Sequence, residues 1–582
     1  MAAAGDQKFS SEKNLSSHRI VWLSAAVFLF GIIIIGKLFA IQVLKNSFYS
    51  NLATKRQEVS KDLLAKRGSI YVRNNGELFP LVTNIEYFQL YAEPVKVTDK
   101  SKVVDSLTPI LNLAEPEWKE ILGRLNKVND PYEPIKNKVT KQQKEQIEKL
   151  KLAGLGFAPE TFRYYPEAGL GGHMLGFVRL ENQYPVGHYG LEGYFNELLA
   201  GKSGFSKSVK DASGAPVAIG PRVVQPAEDG SDLVLTIDRN IQFTACQKLK
   251  QFYDYFKAED GTVIIMEPTG AILAMCSFPD FEPEKFNETK NINDFNNPAI
   301  FAPYEPGSVF KAMTMAAGLN LNKIQPDTTY VDAGEVKVGP YTIRNADLKA
   351  HGEQTMVYVL EQSLNTGAMF VEDQIGNDEF SNYVKAFGFG QKTGIELDSE
   401  IPGDISSLDK SGDVFHLTAS FGQGITATPI ELVTAYAALA NQGQLPKPYI
   451  VSEIIKPDGV TIKTKPEVVR KVVEPRAASL LTGMLTSVVE KGYDHKARVP
   501  GYYLAGKTGT AQIASGGKYS NQTNHTFIGY GPISHPQFVI LIKLAKPQGI
   551  RFASDSISPL FRQLSEFLLN YYKIQPDYQV SQ

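Results

Sequence analysis

The chain has 582 residues and a mass of 64.2 kDa, room for about two to four domains at the usual ~100–200 residues each. Hydrophobic residues at 43% and charged residues at 21% exclude a disordered or collagen-like chain. Sixty Lys+Arg against 62 Asp+Glu leave a formal charge of −2 with no basic stripe, which argues against a nucleic-acid partner. The eight histidines form no HExxH or Cys/His cluster, so no metal and no other cofactor is expected. Cys246 and Cys276 cannot build a disulfide framework; their apolar, strand-like surroundings favour two buried thiols, with a single bridge between them as the alternative.

Residues 20–44 form one apolar segment whose only charge is Lys37, which can snorkel. At 1.5 Å per residue it reaches ~37 Å, enough for a ~30 Å hydrocarbon core with some tilt. The apolar run is too long for a signal-peptide h-region and no small-x-small site follows, so it reads as an uncleaved anchor after a short tail over 1–19. Lys8, Lys13 and Arg19 before it balance Lys45, Lys55 and Arg56 after it, so charge leaves the orientation open.

Beyond the anchor, 48–66 reads as a polar helix, and 68–95 as paired strands around an Asn-Asn-Gly turn. Residues 101–153 show helical spacing with solvated charged faces, and 155–225 is rich in Gly, Tyr and Pro, suggesting loops and short strands. From 231 the chain reads strand (SDLVLTID), amphipathic helix (239–257), then strands TVIIMEP and AILAMCSFP, continuing to a C-terminal helix near 560–572. The main domain boundary is placed near residue 226, with no internal repeat.

Three short patterns in the C-terminal part carry chemistry: Ser308-x-x-Lys311, Ser363-x-Asn365 and Lys507-Thr508-Gly509. Singly they are weak. Ser-x-x-Lys occurs at Ser10, Ser308, Ser407 and Ser515, and Lys-Thr-Gly at Lys392 and Lys507. Only Ser308 opens an apolar helix, after Pro306-Gly307, where first-turn N–H groups favour developing negative charge. Lys311, three residues on, lies on the same face within reach of the hydroxyl. A serine needs an adjacent base, and lysine serves only when neutral, which takes a pKa drop of about three units, or ~4 kcal/mol, through burial and a nearby cation. Lys507 is the candidate for that cation. Lys392 sits in a glycine-rich turn before acid-rich sequence and reads as a solvated loop residue; Lys507 follows the strand-like GYYLAG. Gly509 would let a substrate approach the strand, and Thr508 and Thr510 would add hydroxyl donors beside the charge, a set suited to a carboxylate.

With these patterns in order, the chain resembles the penicillin-recognising serine transferases and, more closely, the class B penicillin-binding proteins, monofunctional peptidoglycan D,D-transpeptidases. YEPGSVFK (304–311), AGKTGTAQ (505–512), DLVLTIDRNIQ (232–242), TATPIELVTAYAALANQG (426–443) and TFIGYGP (526–532) resemble family segments. KRGSIYVRNNGEL (66–78), RYYPEAGLGGHMLGFV (163–178) and GLEGYFNELLAGKSG (190–204) resemble the non-catalytic pedestal, so the likeness covers nearly everything after the anchor. It implies an α+β fold: a cytoplasmic tail (1–19), one transmembrane helix (20–44), an elongated α+β pedestal (45–225) and a transpeptidase domain (226–582). That domain is expected to hold a five-stranded antiparallel sheet flanked by helices, outside the inner membrane on the periplasmic or extracellular side. Ser308 would open its central helix, and Lys507 would lie on the edge-facing active-site strand.

The resemblance further implies that Ser308 attacks the penultimate D-Ala carbonyl of a stem pentapeptide, with Lys311 as base and Ser363 relaying the proton to the leaving amine. Asn365 would hold the donor's amide and Lys311; Lys507, Thr508, Gly509 and Thr510 would bind the carboxylate end that β-lactams mimic. The N–H groups of Ser308 and Thr510 would form the oxyanion hole. An acceptor strand resolves the acyl-enzyme. Val72 stands where the family usually has an Asp before the Arg, which removes a polar pedestal contact. Without a glycosyltransferase region, polymerisation is expected from a polytopic lipid II polymerase, alongside other division proteins. The compact 201–230 linker and lack of long insertions favour the septal type; the alternatives are an elongation-type enzyme, an anchored serine β-lactamase and a non-catalytic division scaffold.

Overall fold

The computed structural model describes residues 10–47, 49, 58–74, 77–127, 130–167, 169–182, 184–209, 223–515 and 518–579. By internal contacts the chain falls into two units, Met1–Ala65 with Lys202–Glu228, and Lys66–Gly201 with Asp229–Gln582.

In the first unit a continuous helix covers Ser10–Phe39 and runs on as a π-helix over Ala40–Leu44. Its segment Ile20–Leu44 has a mean hydropathy of 2.5, and its large side chains are exposed, an apolar surface that only a lipid environment or a partner can cover. The polar helix read over 48–66 is corrected at its C-terminal end. Glu58–Leu63 is a strand, antiparallel to Gly204–Val209, which in turn pairs with Val223–Gln225. The ladder partner lies far along the chain, where a local pattern cannot reveal it; residues 48 and 50–57 of that reading lie outside the described residues.

In the second unit, Ile70–Asn74 and Glu77–Ala92 pair antiparallel as read, with the turn residues Asn75 and Gly76 outside the described set. Lys100–Leu111, Glu115–Leu125 and Lys141–Lys149 are helices, but Glu133–Val139 between them is a strand on the edge of Glu77–Ala92. Asp232–Asp238 runs parallel to Ile70–Asn74 and antiparallel to Val451–Ile455. A cut at residue 226 therefore separates segments but not contacts: 66–201 and 229–582 share one sheet. Val72 is fully buried in it, so the position where the resemblance implies an Asp holds a packed aliphatic side chain, while its neighbour Arg73 donates to Glu453 at 2.9 Å.

The sheet that positions the site has five antiparallel strands in the order Ile272–Phe278, Asp260–Met266, Phe538–Ala545, Lys518–Gly531, Ala505–Ser515. Its central strands are apolar on both faces because both are covered. Along FVILIKLA, Phe538, Ile540, Ile542 and Leu544 join the core beneath the helices Arg239–Tyr255 and Ser558–Tyr571. Val539 and Leu541 face the core of Lys311–Asn320, Pro429–Ala440 and Pro475–Lys491. Helix Pro429–Ala440 is buried all round and starts in a capping box of Thr428 and Glu431. Glu431 also accepts the N–H groups of Gly390 and Gly403, tying down the FGFGQ loop.

The reading of two free thiols is also corrected. Helix Arg239–Tyr255 packs on strand Ile272–Phe278 with the Cα atoms of Cys246 and Cys276 5.6 Å apart, and the two are bonded. The bridge closes a separation of 30 residues. Replacing both cysteines with alanine is expected to cost about 2–4 kcal/mol in denaturant unfolding of the oxidised protein. A stability unchanged within error would show that the bridge adds nothing to this packing.

Candidate active site

Ser308 does not sit in the α-helix itself. It lies in a 3-10 turn, Gly307–Phe310, one turn ahead of the buried helix Lys311–Asn320. In 3-10 geometry side chains three apart eclipse, which sets Ser308 over Lys311. Close backbone contacts hold the turn. Gly307, at φ +59°, donates its N–H to Gly422 O at 3.0 Å, and a Cβ on Gly422 would come 2.2 Å from Gly307 O. From the other side a Cβ on Gly509 would stand 2.7 Å from Pro306 O, so the active-site strand also meets the turn backbone to backbone. The Tyr436 hydroxyl donates to Val309 O at 2.7 Å, and Phe310 packs on Phe389. Ser308 itself is half-buried and lines the cavity; its hydroxyl has no hydrogen-bond partner among the described residues.

The side chain of Lys311 is completely buried, 0% exposed. Its Nζ donates to Ser363 O at 2.6 Å and Asn365 Oδ1 at 2.8 Å, and Ser363 Oγ lies 3.3 Å away. The hydrogen bonds thus run across to the second motif rather than along the turn to Ser308. The two short contacts meet acceptors that need donors, and a neutral amine has two. Its lone pair then remains for a hydroxyl proton. Burial pushes the Lys311 pKa well below the ordinary lysine range, and the Lys507 charge pushes it the same way.

Ser363 ends the helix Met356–Glu361 in a left-handed conformation, φ +56°, uncommon for a residue with a Cβ. This turns its carbonyl and hydroxyl toward Lys311. Asn365 begins the helix Asn365–Ile375; its Nδ2 donates to Arg344 O at 2.9 Å, which aims Oδ1 at the Lys311 amine and leaves one amide N–H. Behind it lies a buried network that sequence reasoning missed. Asn345 Oδ1 accepts the Asn365 N–H at 2.9 Å, Asn345 Nδ2 donates to Asp332, and the Thr366 hydroxyl donates to Asp332 at 2.8 Å. None of the three belongs to a recognisable motif; only the fold joins them.

Lys507 is on the edge strand and 1% exposed. The pleat divides its neighbours. Gly509 and Ala511 face the nucleophile turn, with Lys507 on the same side by alternation. Thr508 and Thr510 point the other way. The Thr508 hydroxyl donates to Asp494 at 2.7 Å, so it is engaged inside the protein and not aligned with the Lys507 charge as the sequence suggested. Thr510 Oγ1 accepts the Ala553 N–H at 3.0 Å and keeps its own hydrogen to donate. The Thr508 N–H goes to Asp494 at 2.9 Å rather than into the ladder, and the Thr510 N–H, two residues on, points outward with it. The Ser308 N–H lies in a first turn, where no intrahelical acceptor exists.

Ser308, Ser363, Asn365, Thr508 and Thr510 line one cavity of about 1770 Å³. Its rim includes Tyr341–Leu348, Tyr519 and Arg551–Phe552. Lys311 and Lys507 lie beneath its floor. The other motif copies stand apart: Lys392 is exposed beside a turn held by Glu400, and Ser407 lies in a 3-10 turn with Lys410 in solvent.

The model of the penicillin-binding protein transpeptidase domain matches residues 261–566, more than half the chain, and that of the penicillin-binding protein dimerisation domain matches residues 62–235. Stage V sporulation protein D of Bacillus subtilis is 32% identical over 92% of this chain and 83% of its own length. Peptidoglycan D,D-transpeptidase FtsI of Escherichia coli is 25% identical over 99% and 96%. Among solved structures, penicillin-binding protein 3 of Mycobacterium tuberculosis, complexed with aztreonam, superposes with a TM-score of 0.69 at 25% identity, covering 90% of this chain and all of that one. Penicillin-binding protein 2X of Streptococcus thermophilus shares the fold at a TM-score of 0.77 and 24% identity, over 88% and 80%. With its apolar N-terminal helix, a dimerisation domain and a transpeptidase domain, the chain belongs to the membrane-anchored class B penicillin-binding proteins.

Proposed function

We propose that the protein is a serine D,D-transpeptidase that cross-links peptidoglycan stem peptides and is inhibited by β-lactams. The observation that carries this is the fully buried Lys311, whose two donors are taken by Ser363 and Asn365, one 3-10 turn after a Ser308 that lines the cavity. Lys311 takes the Ser308 proton as Oγ bonds to the penultimate D-Ala carbonyl carbon, and the oxyanion gathers at the Ser308 and Thr510 N–H groups. Collapse breaks the peptide bond; the terminal D-Ala leaves with the proton returned through Ser363. The amine of an acceptor strand then attacks the ester, forms the cross-link and restores the Ser308 hydroxyl. The Thr510 hydroxyl, at the cavity, binds the donor carboxylate, and the buried Lys507 charge attracts it from behind the strand; Gly509 lets the strand close on the nucleophile turn rather than on the substrate, and Thr508 serves that subsite through the strand.

The septal role accords with relatives named FtsI from several organisms. The pedestal is assigned to 45–225 and the transpeptidase domain to 226–582, outside the cytoplasm beyond an anchor at 20–44 and a tail at 1–19. The Cys246–Cys276 bond supports that side, since disulfides persist in oxidising compartments. Polymerised strands would come from a polytopic lipid II polymerase and other division proteins meeting the anchor and pedestal. Intact-protein and peptide mass spectrometry after exposure to a fluorescent penicillin tests the assignment: a long-lived adduct is expected on the peptide containing Ser308. An adduct elsewhere, none at all, or rapid release as hydrolysed drug would overturn it.

A further inference from the structure

Asp494 was not singled out by any motif. It immediately precedes the 3-10 turn His495–Ala497, after helix Pro475–Lys491, and its side chain is 0% exposed. One carboxylate oxygen accepts the Thr508 N–H at 2.9 Å and the other the Thr508 hydroxyl at 2.7 Å; the first also lies 3.8 Å from Lys507 Nζ. An edge strand has outward N–H groups with no ladder partner. Here a buried carboxylate takes one of them and leaves the next, that of Thr510, for a ligand.

Resting on the acyl-transfer reading above, we infer that Asp494 is a positioning residue of the site, docking the active-site strand through Thr508 and acting as the internal counter-charge that keeps Lys507 cationic beside Lys311. A buried ammonium tends to shed its proton because water no longer solvates the charge. Burial does lower the Lys507 pKa, and the Asp494 carboxylate is the group that opposes it. Lys507 in turn disfavours a proton on Lys311, so the order Asp494, Lys507, Lys311 assigns alternate charges and a neutral base. The other titratable groups around this set are the phenols of Tyr436, Tyr304 and Tyr530, all buried and pushed up by desolvation, His495, whose Nδ1 is 3.2 Å from Gly492 O, and Glu361, bonded by the Ser487 hydroxyl.

The test is the pH profile of Ser308 acylation by a fluorescent penicillin, measured on the full chain in detergent micelles. The alkaline limb of the wild type reports loss of the Lys507 proton. Asp494→Asn is expected to move that limb down by about one pH unit or more, and Asp494→Glu to return it toward the wild type. Thr508→Val, which keeps the carboxylate but loses the hydroxyl, is expected to slow acylation about tenfold with the limb in place. An unmoved limb in Asp494→Asn removes the electrostatic role, and a moved limb or an unchanged rate in Thr508→Val removes the docking role. Should Asp494→Asn not fold, Thr508→Val decides the docking role and Lys507→Arg the electrostatic one: a guanidinium keeps its proton without a counter-charge, so the alkaline limb should vanish, and a limb that stays removes that role. Absence of Ser308 labelling in the wild type would instead defeat the acyl-transfer reading itself.

Discussion

Ser308→Ala is expected to abolish the penicilloyl adduct and to lower stem-peptide cross-linking by about 10⁴-fold or more, while the protein stays folded. A covalent route disappears with its nucleophile, and the remaining oxyanion donors and carboxylate grip give only residual rate. The fold is spared because the Ser308 hydroxyl makes no hydrogen bond among the described residues and faces the cavity. Deleting it leaves no buried group unpaired, so unfolding should shift by no more than about 0.5 kcal/mol. The turn is held by other atoms: Gly307 N to Gly422 O, and Tyr436 to Val309 O. Intact mass after penicillin exposure, with a thermal melt alongside, reads both effects. A variant that still takes up one penicillin would move the nucleophile to another residue.

The residues of the three motifs were legible before any coordinates because each pairs a reactive side chain with a local backbone demand. Pro306-Gly307 before Ser308 announces a turn, and Gly307 takes φ +59° there; Gly509 announces a close approach, but what approaches at 2.7 Å is Pro306 O of the turn and not a substrate. Lys392 carries the same triplet without those surroundings and ends in solvent. The runs TVIIMEP and AILAMCSFP read as strands, and Asp260–Met266 and Ile272–Phe278 are adjacent strands of the active-site sheet. What stayed hidden depends on partners distant in sequence. Glu133–Val139 and Glu58–Leu63 become strands through ladders to remote segments, and Cys246 meets Cys276 only when a helix lies on a sheet. Asp332, Asn345 and Thr366 are ordinary polar residues until the Ser363–Asn365 corner folds onto them. Thr508 and Thr510 were placed beside Lys507 by writing the strand as a line. The pleat puts them on the opposite face, and Asp494 supplies the reason.

Lys311→Met is expected to lower the acylation rate by about 10²–10⁴-fold, the usual worth of a positioned general base, and to remove the acid limb of its pH profile. In the wild type only the neutral amine can take the Ser308 proton. The rate should therefore rise with pH through the folded-state Lys311 pKa, which burial and the Lys507 charge hold well below the ordinary value of 10.5. The same depression fixes a stability trend of known sign. In the unfolded chain the lysine stays protonated up to its ordinary pKa; in the folded chain it releases the proton earlier. Between the two values the unfolded state binds more protons, so stability rises with pH across that window and is lowest below it. Methionine fills a similar volume without a charge and erases this trend. It also leaves Ser363 O and Asn365 Oδ1 without their donor, a cost of about 1–3 kcal/mol for each oxygen that water does not reach. The variant should accordingly show a flatter dependence of its denaturant midpoint on pH, whatever its absolute stability. If the acid limb of acylation survives in Lys311→Met at the same pH, the proton from Ser308 goes to another group, and Ser363, which lines the same cavity, becomes the first alternative to mutate.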